Sequence, residues 1–329
     1  CEMIGSFIHK KLRLPFLLFA ISIFNINSFY GQINEEYNIS NEVWESFKLK
    51  NDKESRLLEY KDNDEQLLAK LVLLELINKH RVKHHKQAVE LDIHACRSAN
   101  KTAQDAALNK YIGHWDSQGK KPYHRFALDG GDAHVSENAS GVESTDFFKQ
   151  DIDEMISLMK ENHMLMYNER PPFDGHRLNI LDPNHNQLGL GVAFDGSFFC
   201  YYEEFINDYL TKTSTKLQNG EVKMLFTIPD QFNLVGISIS YDKPFKPMKS
   251  KELNMKTSYL DEGEANIFIW DDEVMCKDNN CEYSFKIKSN QITYVKVLIS
   301  KIKPDEFVKD SKGSFPVSGW VFYNEMQMD

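Results

Sequence analysis

Three side chains of types that can do chemistry stand in short motifs of this sequence: His114, Glu137 and His176. Two neutral imidazoles and a carboxylate can hold a divalent ion, and Zn²⁺ suits such a nitrogen and oxygen set. A histidine beside a carboxylate can instead act as a general base. His114 stands before Trp115 at the end of a helical stretch, and Glu137 lies in Ser136-Glu137-Asn138-Ala139. His176 lies in Gly175-His176-Arg177-Leu178-Asn179-Ile180-Leu181-Asp182-Pro183, just before the Gly-rich apolar run Gly189–Phe194. The chain has no Gly-x-Ser-x-Gly elbow and no His-Glu-x-x-His helix, so a hydrolase reading must rest on these three residues and a metal-activated water. A third reading is structural, a buried hydrogen-bonded network tying loops to helices.

The elements that must position them follow from periodicity. Residues 32–62 are polar and charge-rich and read as a loosely ordered lead-in. Leu67, Leu68, Leu71, Leu74 and Ile77 recur at helical spacing and predict a helix to about His85. A second helix is expected over roughly 92–111, with Gly113 after it, and a third over 145–162. The stretch 116–145 shows no convincing long element. Leu188–Phe194 and Phe198–Phe205 read as strands joined by Asp195-Gly196-Ser197, a hairpin signal.

Apolar periodicity vanishes over 209–217, read as a linker. Beyond it, runs at 222–228, 234–241, 265–270, 282–288, 293–300 and 318–323, separated by turn residues, predict an all-β domain over 218–329 with the size of an immunoglobulin-like sandwich. Trp270 and Trp320 are expected as core anchors of that sandwich. Cys276 and Cys281 bracket Lys-Asp-Asn-Asn and are expected to staple a hairpin by a disulfide; a zinc site is the alternative for that pair. Cys96 and Cys200 read as buried small hydrophobes. The remaining histidines, among them His80, His84, His94, His124, His134, His163 and His185, read as surface or loop residues.

Composition narrows the class. The 329 residues carry a formal net charge of −10, with 41% hydrophobic and 12% aromatic residues. That is a globular protein with room for two domains, and its acidity argues against nucleic acid as a partner. Lys10, Lys11 and Arg13 precede the apolar run Leu14–Phe24, the pattern of an export signal ending near residue 31. The run is shorter than the roughly 20 residues of a membrane span, which leaves an uncleaved anchor as the alternative and argues against a stable span after cleavage.

The His-Trp, Glu-Asn and Gly-His-Arg pieces, in this order and with Asn78 and Arg81 upstream, resemble the CAP superfamily. This is the secreted domain shared by cysteine-rich secretory proteins, antigen 5 and pathogenesis-related plant proteins, and the likeness is to its bacterial branch. The resemblance covers residues 63–208 and implies an α+β fold, a CAP-type α-β-α sandwich, followed here by the separate all-β domain. It implies that His114, Glu137 and His176 share one cleft with a further acid on the third helix. Glu154 is the first candidate for that acid and Glu161 the second. Ser136 stands where the family carries a glycine. The reading that results is an exported protein, secreted, periplasmic or at the cell surface. Its cleft binds a divalent metal such as Zn²⁺ or a small or lipidic ligand, and its β-domain serves adhesion or presentation. The partners expected are extracellular small molecules, lipids or proteins. A secreted metal-dependent peptidase or esterase using the same cleft is the alternative.

Overall fold

The computed structural model describes residues 37–256, 258–259, 265–302 and 313–323. The expected export signal at residues 1–31 lies outside them.

The first half is a three-layer α-β-α unit. Helix α1 (Asn41–Lys53) and helix α2 (Asp64–Lys83) come first. Asn63 and Gln66 close a capping box at the start of α2, and Asp64 and Glu65 sit where the helix dipole favours acids. Strand β1 (Glu90–Leu91) leads into α3 (Ile93–Asn109), capped by the Asp92 side chain. Then follow α4 (Pro122–Leu128), β2 (His134–Glu143), α5 (Ile152–Tyr167), the short α6 (Gly175–Ile180), β3 (Gln187–Asp195) and β4 (Phe198–Asn207). The sheet order is β1-β3-β4-β2, so β2 is an edge strand.

One face of this sheet, with Leu188, Leu190, Val192, Tyr201 and Phe205, packs on α2 and α5. The other face is pressed on by α3, whose Ala95, Ala99, Ala103 and Ala106 are fully buried. Such small residues let the helix close on the sheet. A Cβ added to Gly191 would meet the Ala99 backbone at 2.3 Å.

Several expectations are corrected. The described part of the lead-in, 37–62, is ordered. Trp44 is buried, and the buried Arg97 guanidinium donates to the carbonyls of Asn51, Glu54 and Arg56. Asp62 pairs with Lys70 at 2.6 Å, both side chains fully buried. Those ties are tertiary, so composition gave no hint of them. The third helix begins at Ile152, where Asp151 caps it, and continues to Tyr167. The stretch 116–145 contains both α4 and the ten-residue β2. Residues 209–217 are not a linker: strand β5 (Thr211–Gln218) pairs with β6 (Glu221–Thr227), and its almost wholly exposed edge position explains why no apolar alternation marks it.

The second half continues with β7 (Asn233–Asp242), the single-turn helix α7 (Ser250–Leu253), β8 (Ala265–Trp270), β9 (Met275–Lys277), β10 (Asn280–Lys286), β11 (Ile292–Ser300), β12 (Ser314–Pro316) and β13 (Trp320–Phe322). These build two antiparallel sheets, β5-β6-β10-β9 and β12-β11-β7-β8, with β13 also on β11. Inward-facing Val222, Met224 and Phe226 of one sheet and Ile237, Ile239, Val295 and Val297 of the other share one core. Trp320 lies in that core, whereas Trp270 is 43% exposed and does not anchor it. Cys276 and Cys281 stand opposite each other in the β9–β10 ladder and are joined by a disulfide; Cys96 and Cys200 are free and buried.

The halves meet along α4. Asp242 at the end of β7 takes the buried Lys121 ammonium at 2.9 Å and faces His124 Nε2 at 3.0 Å. Tyr123 stacks on Tyr294 with ring centroids 4.2 Å apart. The connection after β7 then runs back over the first half: Met248 N–H donates to Ser117 O at 2.9 Å, and Ile112 N–H to Asn254 Oδ1 at 3.0 Å. Gly119 has φ +78° and lies so close to this segment that a Cβ there would meet Lys246 O at 2.3 Å, which explains the glycine twice over.

Candidate functional site

The site is built around the edge strand β2. Successive residues of a strand face opposite ways, and here Glu137 and Asn138 divide the work. In register Glu137 stands beside Glu204, and Asn138 beside Glu203. Glu137 therefore points to the α3–α4 side and Asn138 to the α5–α6 side.

On the first side, His114 Nδ1 lies 2.9 Å from Glu137 Oε1, and the imidazole donates to the carboxylate. The other oxygen, Oε2, accepts from Arg125 Nη2 of α4. Arg125 Nη1 also donates to His114 O at 2.5 Å, so one guanidinium holds both members of the dyad. Burial works against the charge on Arg125, and Glu137, Asp116 and Glu204 more than offset it, raising its pKa. Glu204 is fully buried, with neither carboxyl oxygen hydrogen-bonded to protein. Burial, and next the charge of Glu137, push its pKa well above the usual glutamate range.

On the second side, Asn138 Nδ2 donates to His176 O at 3.2 Å and to Glu203 Oε2 at 3.0 Å. Asn179 Nδ2 donates to Asn138 Oδ1 at 2.9 Å, which ties α6 to β2. His176 forms its own dyad. Its Nδ1 lies 2.5 Å from Glu169 Oε1, and its backbone N–H donates to Oε2 at 3.0 Å. The His114 and His176 ring centroids are 6.2 Å apart.

The structure thus brings His114, Glu137 and His176 together and leaves Glu154 out. Glu154 lies in the first turn of α5 and accepts from Gln150 N–H at 2.8 Å; Glu161 accepts from Ser157. The acid beside His176 is Glu169, in the turn after α5. The third helix is displaced toward the C-terminus relative to the expectation, and the acid moves with it. Both Glu137 oxygens accept hydrogen bonds, Oε1 from His114 and Oε2 from Arg125. No group of three or more metal-ligating side chains converges among the described residues.

Several histidines expected on the surface are buried instead. His163 is fully buried, 2.7 Å from Glu203 Oε1 through Nδ1 and 2.9 Å from His80 Nδ1 through Nε2. His80 in turn stacks on Tyr167, with centroids 3.8 Å apart. Burial, with His163 next in effect, lowers the His80 pKa to about 4. His185 is buried between Asn179 and Asn207, and burial lowers its pKa to about 4. His94 and His124 are buried as well.

Sequence reasoning also missed Arg125, Glu169 and Tyr259. Tyr259 comes from the second half; its ring meets that of His114 edge-on at 4.7 Å, and its hydroxyl accepts from Glu137 N–H at 2.9 Å. Only Glu169 had a local signal, its place seven residues before His176 at the mouth of the Pro-Pro turn.

Comparison with known proteins bears on this geometry. No curated protein sequence matches the chain. Among solved structures, an extracellular protein containing an SCP domain from Bacillus anthracis is 22% identical with a TM-score of 0.32, over 41% of this chain and 39% of that one. An outer surface protein from Borrelia burgdorferi is 15% identical with a TM-score of 0.32, over 42% of this chain and 92% of that one. The family model described as the cysteine-rich secretory protein family, CAP, matches from Leu74 on α2 through Tyr202 on β4 and so includes all four residues of the two dyads. Residues 74–202 of this chain are a CAP domain.

Proposed function

We propose that this is an exported CAP-domain protein whose cleft binds a small ligand or divalent metal between His114 and His176, with the β-rich half serving adhesion or presentation. One observation carries the reading: each imidazole is fixed through Nδ1 by its own carboxylate, and the two rings stand 6.2 Å apart. That leaves the Nε2 atom of each ring to meet a ligand. Carboxylates that orient histidines from behind are a recurrent support of zinc-binding imidazoles. Here Glu137 and Glu169 would play that part, His114 and His176 would supply two nitrogen donors, and the remaining positions would fall to water or ligand. Such a site is suited to an exchangeable ion more than to a structural one.

The carboxylates orient the imidazoles: Glu137 lies between His114 and Arg125, and Glu169 holds both the ring and the backbone N–H of His176. A metal-dependent hydrolase using the same cleft, with one of these histidines as the base, is the alternative reading. The basic and apolar run over residues 10–24 supports export. No helix among the described residues is long and apolar enough to cross a membrane.

Calorimetric titration with Zn²⁺ tests the reading. Wild-type protein should give saturable heat that His114→Ala plus His176→Ala removes. Heat that persists unchanged in the double variant would place the metal elsewhere.

A further inference from the structure

The second half of the chain reaches the histidine site, although nothing in the CAP domain requires it to. Trp115, next to His114, donates from Nε1 to Ser258 O at 3.1 Å. One residue on, the Tyr259 ring lies edge-on against His114, and its hydroxyl accepts from the Glu137 N–H. That N–H points outward from the edge strand β2 and has no strand to pair with. A buried edge donor without an acceptor is costly, and Tyr259 supplies the acceptor. The contact also separates the two histidines. The His114 side chain is 13% exposed, whereas that of His176 is 32% exposed.

We propose that Tyr259 is a residue of the histidine site. It is a wall, contributed by the C-terminal half, that shields His114 and leaves the His176 side as the way in for a ligand. The inference rests on reading the cleft as a ligand site, and it adds that the two halves form one binding unit. Tyr259 positions the dyad by holding the backbone of Glu137, and its ring limits what can stand against His114. A cavity of about 120 Å³, lined also by Tyr123, Ser136, Ser240 and Tyr294, adjoins the same ring. A ligand entering past His176 would meet His114 from that side, while the Tyr259 ring covers the other.

Carbethoxylation by diethyl pyrocarbonate, followed residue by residue by mass spectrometry, reads the shielding directly. The full chain and its Tyr259→Ala and Tyr259→Phe variants are compared under identical conditions. In Tyr259→Ala, His114 should react several-fold faster, while His176 keeps its wild-type rate. Tyr259→Phe retains the ring and should leave His114 close to wild type. An unchanged His114 rate in Tyr259→Ala overturns the proposal. So does an equal acceleration at both histidines, which would report general loosening. The labelling is done on metal-free protein, so its outcome does not depend on whether the cleft binds zinc, and loss of the zinc reading and loss of the wall are separate results.

Discussion

At the scale of single residues, the site depends on one cation. Glu137 is fully buried as a side chain, and Arg125, 4% exposed, is its charged partner. Removing one member of such a pair leaves an uncompensated charge, at a cost of about 3–5 kcal/mol. Arg125→Met should therefore lower stability by roughly that amount, read as a shift in the urea midpoint. Arg125→Lys should recover only part of the loss, because a compact ammonium lacks the planar fork by which Nη1 reaches His114 O and Lys120 O while Nη2 holds Glu137. A midpoint unchanged in Arg125→Met would show that the pair contributes nothing net. The same residues mark the limit of legibility. His114, Glu137 and His176 each lie in a short motif and could be read from the sequence. Arg125 and Tyr259 are defined only by what folds against them, and nothing local distinguishes them from other arginines and tyrosines. Glu169, and not Glu154, stands against His176, a placement that depends on where a helix lies, and helix ends are set by caps such as Asp151 that periodicity does not see.

At the scale of elements, the approach of α3 to the sheet decides how the first half packs. Gly189 and Gly191 face Ala95 and Ala99 so closely that a methyl group has no room, with contacts of 2.5 and 2.3 Å. Gly191→Ala should cost about 1–3 kcal/mol as an overpacked core substitution, and more if α3 must shift. A thermal melt would show it, and an unchanged Tm would mean that the helix moves freely. Helices α2 and α3, the body of α5, the β3–β4 hairpin and most strands of the second half were legible here because their apolar periods are strong, whereas α4 and β2 were missed. α1 and β5 were missed too, for opposite reasons. α1 is held by Trp44 and Arg97 through contacts invisible in composition, and β5 is an exposed edge with no buried face to show alternation.

At the scale of the whole molecule, buried neutral histidines link stability to pH. His80 and His185 have their pKa lowered to about 4, and His134, half-buried beneath Tyr294, to about 3, in each case chiefly by burial. In the unfolded chain the same groups titrate near 6.5. Between those values the unfolded state binds more protons, so stability rises with pH and is lost as pH falls from about 6.5 toward 4. The urea midpoint should thus decline already between pH 6.5 and 5, above the range in which carboxylates protonate. His185→Gln should reduce that slope; an unchanged slope would remove His185 from the account. Asp242 adds a later step. Burial raises its pKa, but hydrogen bonds from His124 and Lys121 outweigh that and hold it below the usual range. The tie between the halves that it provides is therefore lost only as pH falls further, through that lowered value.

The reach of the chain back over β2 also has a consequence in time. The sheet that carries both dyads is complete at Asn207, whereas Tyr259 lies some fifty residues further on. At synthesis rates of about 5–20 residues per second, the ribosome delivers the wall several seconds after the pocket it covers. The shield over His114 therefore belongs to a later stretch of chain than the sheet it covers, while the His176 side stays open once both are in place.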